Sequence, residues 1–261
     1  MRTAIVTQLT NNFTYGGELL LKSLFYYNKI DLDIVVLIDD DFDQQDRITA
    51  ITDRVKFHVV DKKFYEPCMK HFKGNREWTI NPAHRFDIFT LPYDRVLYLD
   101  SDMLIVDSIA GLLNCTHDFA AAPYTSRISI GSLQQTFTSF ETHLFNAGVM
   151  CISKKYLNTG MRDELIAICM SGEWSGNQSI FNTYFRQSAK LLPGMYNATT
   201  EGLTEHRFNN AKIYHFVGHK KVWDEGNLFD RFDQSIRWSA GIQLLIKLMR
   251  IYKQHHKLLF C

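Results

Sequence analysis

The chain contains no CxxC pair. Its five cysteines, Cys68, Cys115, Cys151, Cys169 and Cys261, are odd in number and scattered, which argues against a disulfide framework and fits reduced thiols in a cytosolic compartment. Net charge is nearly absent too. At +1 there is no global pull toward nucleic acid or membrane, so any such attraction has to be local. The opening "MRTAIVTQLT" lacks a signal-peptide core, and no run approaches the length of a transmembrane helix. No internal repeat, low-complexity tract or linker stands out. A dinucleotide-binding dehydrogenase is set aside because "TQLTNNFTYGG" stands where G-x-G-x-x-G would follow the first strand. Four N-x-S/T sequons occur, at Asn12, Asn114, Asn177 and Asn197. Two of them fall in the site argued for below, where a glycan would block function, so the sequons read as chance.

What is present is a globular balance. In 261 residues, 46% are hydrophobic and 22% charged, enough to bury a sizeable core. Residues 3–9, 33–39, 55–61 and 94–100 read as strands, with helices over 16–28 and 82–91 and an acidic helix start after Asp39. Further strands are expected at 119–124, 145–153 and 211–217, and helices at 154–171 and 177–185. Strand–helix alternation over the first hundred or so residues predicts an α/β fold with a parallel sheet covered by helices on both faces. The reading is one catalytic domain over 1–232 and a C-terminal helical segment over 233–261.

Ligands of such sheets bind beyond the carboxyl ends of the strands. There the chain places "LYLDSDMLIV", with Asp100 and Asp102 one residue apart at the end of an apolar run. Two ionised carboxylates so close repel each other, and a divalent cation removes that penalty. Hard oxygen ligands suit magnesium or manganese, ions that commonly bridge carboxylates to phosphates. The plainer alternative is that one Asp caps a helix and the other faces solvent. "HFVGHKKVW" strengthens the metal reading: His215 suits manganese beside carboxylates, Gly218 admits a phosphate to the backbone, and Lys221 supplies a point charge.

On these motifs the chain resembles glycosyltransferase family 8, the glycogenin-like and lipopolysaccharide galactosyltransferase-like enzymes, from "TQLTNNFTY" to "HFVGHKKVW". The resemblance implies a single GT-A nucleotide-sugar-binding domain. It also implies transfer of a hexose or related sugar from a UDP-sugar, with retention, to a glycan, glycolipid or protein acceptor. Manganese is the implied cofactor, with magnesium as the alternative. Carried over position by position, Asp100, Asp102 and His215 are the metal ligands, and Ser101 lies within the same nucleotide-binding motif. Leu9, Thr10, Asn12 and Tyr15 would frame base and ribose, with Tyr15 stacking on uracil. Tyr15 reads equally as an ordinary aromatic at a helix start. Arg85 resembles the basic residue that contacts donor phosphate or sugar, with a surface salt bridge as its alternative.

"FNAGVM" resembles the family's sugar-binding strand, in which Asn146 and Ala147 meet the donor sugar. Gln178 in "SGNQSIFN" would face the reacting anomeric carbon. Asn177 stands where most members have Asp, and Trp174 where glycogenin-like members carry a further acid. Val222 replaces a usual Pro. These departures prompt an alternative: a weak or inactive nucleotide-sugar-binding protein. Self-glucosylation as in glycogenin is not expected, because Tyr196 is the only tyrosine of the corresponding region and belongs to a core motif. Residues such as 124–144 would select the sugar. The stretch 236–261 reads as a basic amphipathic helix, either packed on the catalytic domain or lying on an anionic membrane. The expected location is cytoplasmic, with peripheral membrane contact as an option, and no nucleic-acid partner is expected.

Overall fold

The computed structural model describes residues 1–73, 82–130, 133–138, 144–200, 205–217 and 240–260. Its first half alternates as the sequence predicts. Strands β1 (Thr3–Gln8), β2 (Asp33–Ile38), β3 (Val55–Val59) and β4 (Arg95–Leu99) are parallel to one another. Between them run α1 (Thr14–Tyr27), α2 (Gln45–Thr49), α3 (Lys62–Tyr65) and, in place of the expected α-helix, a 3-10 helix over Pro82–Thr90.

The second half adds β5 (Met103–Ile105), α4 (Ala110–Leu113), β6 (Phe119–Pro123) and a hairpin of β7 (Thr125–Ile130) with β8 (Leu133–Thr138). Then come β9 (Phe145–Ser153), α5 (Thr159–Met170), α6 (Asn177–Phe185), β10 (Lys190–Leu191), β11 (Ala198–Thr199), α7 (Glu205–Asn210), β12 (Ile213–His215) and α8 (Ala240–Phe260). The helix expected from residue 154 begins only at Thr159, where the Asn158 side chain caps it by accepting from the Met161 N–H at 2.9 Å.

The main sheet has the order β10-β6-β9-β4-β1-β2-β3, and a smaller one the order β11-β12-β5. Within the main sheet β9 alone is reversed, antiparallel to both β4 and β6. Both faces are buried, and the split follows the two-residue period of a strand. Val35, Leu37, Val96 and Tyr98 face one core cluster, while Ile34, Val36, Leu97 and Leu99 face the other. The first cluster takes in α5, α6 and the 3-10 helix through Leu165, Phe181, Phe86 and Phe89. The second takes in α1 through Leu20, Leu21 and Leu24.

A third cluster joins α1 to α8, with Leu19, Leu248, Tyr252 and Phe216 buried in it. Tyr15 and Tyr252 share a hydroxyl hydrogen bond of 2.8 Å, and Tyr27 one of 2.6 Å with His255. The Lys22 ammonium lies 3.7 Å from the centre of the Phe260 ring. Leu248 and Tyr252 of α8 are thus packed against α1, while Leu258, Arg250, Lys253 and Lys257 are exposed. The expected boundary at 232/233 lies outside the described residues. Among the described residues no helix is long and apolar enough to cross a membrane.

Candidate active site

The carboxyl ends of β1 and β4 open onto a cleft of about 180 Å³ lined by Gln8, Thr10, Phe13, Arg85, Tyr98, Asp100, Ser101 and Asp102. Backbone pairing sets the two aspartates. The Asp100 N–H donates to the Gly148 carbonyl at 2.8 Å, locking the end of β4 to β9. Antiparallel pairing of β5 with β12 sets Met103 opposite His215, and the Phe216 N–H donates to the Asp102 carbonyl at 2.9 Å. A residue 113 positions away in sequence thus arrives beside the pair. The His215 Nε2 lies 3.1 Å from Asp102 Oδ1 and 3.5 Å from Asp100 Oδ2. One ligand atom from each of the three residues falls within 4.8 Å of the others.

Arg85 is not at the surface. It forms a mostly buried ion pair with Asp100, Nη2 to Oδ1 at 2.7 Å, and its guanidinium lies 4.8 Å from the centre of the Tyr98 ring. Burial works against its charge, but the facing Asp100 and Asp102 outweigh that and raise its pKa. The Tyr98 hydroxyl donates to the same Asp100 oxygen at 2.8 Å, and burial holds its phenol pKa well above the ordinary value, so it stays protonated. Two carboxylates face one guanidinium in this largely buried site, an excess of acidic over basic side chains. A cation offsets such an excess.

The shape of the site fits a cation as well as its charge does. A Cβ placed on Gly148 would stand 2.6 Å from His215 Cε1 and 2.8 Å from both Asp100 Oδ2 and Asn146 Oδ1. The missing side chain leaves open the space onto which these groups converge. Asp100, Asp102 and the His215 imidazole form a donor set that suits manganese or magnesium.

Amide orientations follow from donors that admit no choice. The Ala147 N–H can only donate, so the Gln178 atom 3.1 Å from it is the oxygen Oε1, and the Gln178 Nε2 amino group is directed elsewhere. The Gly148 N–H likewise meets Asn146 Oδ1 at 2.8 Å. That oxygen also accepts from Asn197 Nδ2 at 2.9 Å, which leaves the Asn146 Nδ2 amino group for other partners. Asn177 opens α6 and donates through Nδ2 to the Pro82 carbonyl at 3.0 Å. A second cleft, of about 990 Å³, is lined by Phe145, Asn177, Gln178, Asn182, Tyr124 and Tyr184 among others.

Several expected contacts fall elsewhere. Tyr15 does not reach the cleft. Its ring stacks on Phe260 and His256 of α8 with centroids 5.3 and 6.0 Å away, and the aromatics that do line the cleft are Phe13 and Tyr98. Leu9 is fully buried in the core because the strand alternation turns its side chain inward against Gly17. Asn12 is exposed on the turn before α1, outside the cleft lining. Gly218 and Lys221 lie outside the described residues. Trp174 is in the lining of neither cleft: its indole N–H donates to the Cys169 carbonyl at 3.0 Å, and its backbone pairs with His71 and Lys73. Tyr196 is buried against Gly111. The stretch expected as a sugar-selecting loop contains the β7–β8 hairpin. Sequence reasoning missed Phe13, Tyr98 and Asn197.

Comparison with known proteins supplies the context. The family model described as Glycosyl transferase family 8 matches residues 4–226. "Glycosyltransferase GlyF" of Streptococcus pneumoniae serotype 4 is 25% identical over 247 residues, covering 86% of this chain and 58% of its own length. This chain thus spans little more than half of that relative. "Lipopolysaccharide 1,2-glucosyltransferase" of Escherichia coli is 23% identical, over 83% of this chain and 72% of its own. Among solved structures, galactosyltransferase LgtC in complex with donor and acceptor sugar analogs superposes with a TM-score of 0.62 at 17% identity, covering 93% and 94% of the two chains. That last likeness is one of fold, the GT-A α/β architecture.

Proposed function

The chain belongs to glycosyl transferase family 8, and from that premise we propose that it is a metal-dependent, retaining glycosyltransferase. It would move a hexose or related sugar from a UDP-sugar to a carbohydrate-bearing acceptor. The observation that carries this reading is the convergence of Asp100, Asp102 and His215, one ligand atom from each lying within 4.8 Å of the others. These three side chains would hold the cation, manganese being preferred for its affinity for imidazole beside carboxylates. When bound, the ion supplies charge compensation for the departing diphosphate.

The chain's own residues would do the rest. Arg85, paired with Asp100, orients that carboxylate and adds positive charge at the cleft. Thr10 and Phe13 flank the nucleotide end of the cleft. Asn146 offers its amino group to a sugar hydroxyl, because its oxygen is already taken by Gly148 and Asn197. Gly218 and Lys221 complete the phosphate side on resemblance alone.

Retention has two routes, a covalent intermediate or attack on the same face. The Gln178 oxygen is engaged by the Ala147 N–H, and Asn177 carries no charge and donates to Pro82. Neither is placed as a nucleophile, which supports same-face attack. In that step the bond from the anomeric carbon to the phosphate oxygen breaks and the bond to the acceptor oxygen forms. The acceptor's proton passes to the departing phosphate oxygen. Trapping a glycosyl adduct on Gln178 would contradict this step.

UDP release from a panel of UDP-sugars with manganese, abolished by chelation and by Asp102→Ala, is the test. Asn177 in place of the usual Asp favours one second reading, nucleotide-sugar binding without turnover, and binding with no UDP release would establish it. Contact with an anionic membrane would draw on the exposed Arg250, Lys253 and Lys257 of α8.

A further inference from the structure

We propose that Asn197 is the positioning residue that makes His215 a metal ligand, by holding the imidazole in the tautomer whose Nε2 is bare. The inference rests on the metal site proposed above. Asn197 is fully buried, so it acts only through its neighbours. It sits immediately before β11, whose parallel pairing sets Thr199 opposite His215. Its amide lies between Asn146 and the His215 ring, with Nδ2 2.9 Å from Asn146 Oδ1 and Oδ1 2.9 Å from His215 Nδ1.

The direction of every bond in this chain follows from one donor. The Gly148 N–H fixes Asn146 with its oxygen inward. An inward oxygen requires a donor opposite, so Asn197 turns Nδ2 toward Asn146. Asn197 Oδ1 then faces the ring and can only accept, so Nδ1 carries the proton. A neutral imidazole has one proton, and with it on Nδ1 the Nε2 lone pair points at Asp100 and Asp102. Three electron-pair donors then converge with no hydrogen among them, which is the arrangement a cation needs. Without Asn197 the neutral ring would place its proton on Nε2, donating to Asp102, and that form cannot ligate.

The same relay couples the two halves of the site. Asn146, proposed to meet the donor sugar, and His215, proposed to meet the cation, are joined through a single buried amide. A shift of either ligand-binding group is felt by the other through Asn197.

Two substitutions separate positioning from mere packing. Asn197→Asp keeps an acceptor facing His215 Nδ1 and loses the donor to Asn146. Asn197→Leu loses both. A role confined to packing or to supporting Asn146 would make the two behave alike. Manganese binding to the full chain, measured by titration calorimetry with folding monitored by circular dichroism, is expected to weaken by about 10- to 100-fold in Asn197→Leu. In Asn197→Asp it should stay at or above the unsubstituted affinity. Equal weakening of both variants, or none in Asn197→Leu, overturns the inference and leaves the metal site standing. Absence of manganese binding in the unsubstituted chain overturns the metal site itself, and the inference with it.

Discussion

Replacing Gly148 by Ala fills the space onto which Asp100, His215 and Asn146 converge. The added methyl would stand 2.6 Å from His215 Cε1 and 2.8 Å from Asp100 Oδ2, whereas ordinary contact begins near 3.4 Å. Each group must therefore retreat by about 0.6–0.8 Å, while metal sites tolerate about 0.2 Å in ligand distance. Neither can retreat easily. Asp100 is pinned by Arg85 at 2.7 Å and Tyr98 at 2.8 Å, and His215 by Asn197 at 2.9 Å. Overpacking of this kind costs about 1–3 kcal/mol of stability, which in a chain of this size lowers Tm by about 2–4 °C per kcal/mol. The loss of ligand geometry is the larger effect. Manganese affinity should fall by about 100-fold or more, at the upper end of what outer-shell changes produce. Calorimetric titration of Gly148→Ala with manganese, beside a thermal melt, reads both numbers. A variant that melts a few degrees lower yet binds manganese as the unsubstituted chain does would refute the assignment of that space to a cation.

Other substitutions test neighbouring parts of the account. Asn177→Asp, which restores the family's usual acid, should lower Tm rather than raise activity. It sets a carboxylate against the Pro82 carbonyl in place of a part-buried 3.0 Å hydrogen bond, a loss of about 1 kcal/mol; a gain in UDP release at unchanged Tm would contradict this. Arg85→Ala should destabilise by about 3 kcal/mol, the lower end for a broken buried pair because Arg85 is 16% exposed, and denaturant unfolding measures it. Leu248→Ala should cost about 2–5 kcal/mol, since Leu248 is fully buried between α8 and α1. An unchanged melt there would mean that α8 does not dock in solution.

How much of this was legible beforehand differed between element and site. Strands such as Ile34–Ile38 announce themselves because burial on both faces demands unbroken apolar runs, whereas the edge strand β3, VKFHV, shows only alternation. Strand direction does not show in such a run, so the reversal of β9 could not be read from "FNAGVMCIS". The aspartate pair was visible because charge is rare in apolar sequence, and His215 because a second polar residue interrupts another strand. Tyr15 stayed ambiguous for a related reason. A helix-start aromatic looks alike whether it faces a ligand or another helix, and only α8, far along the chain, decides which. Asn197 carried no chemical signal beyond its sequon. Its role comes from the parallel pairing of β11 with β12, a contact spanning many residues that composition and periodicity do not encode.

The central claim is that a divalent cation held by Asp100, Asp102 and His215 anchors the donor's diphosphate. Titration of UDP into the chain with manganese present, and again after chelation, tests it most directly. The account predicts saturable binding with manganese that is lost on chelation and in Asp102→Ala. UDP binding of equal strength under all three conditions would contradict it.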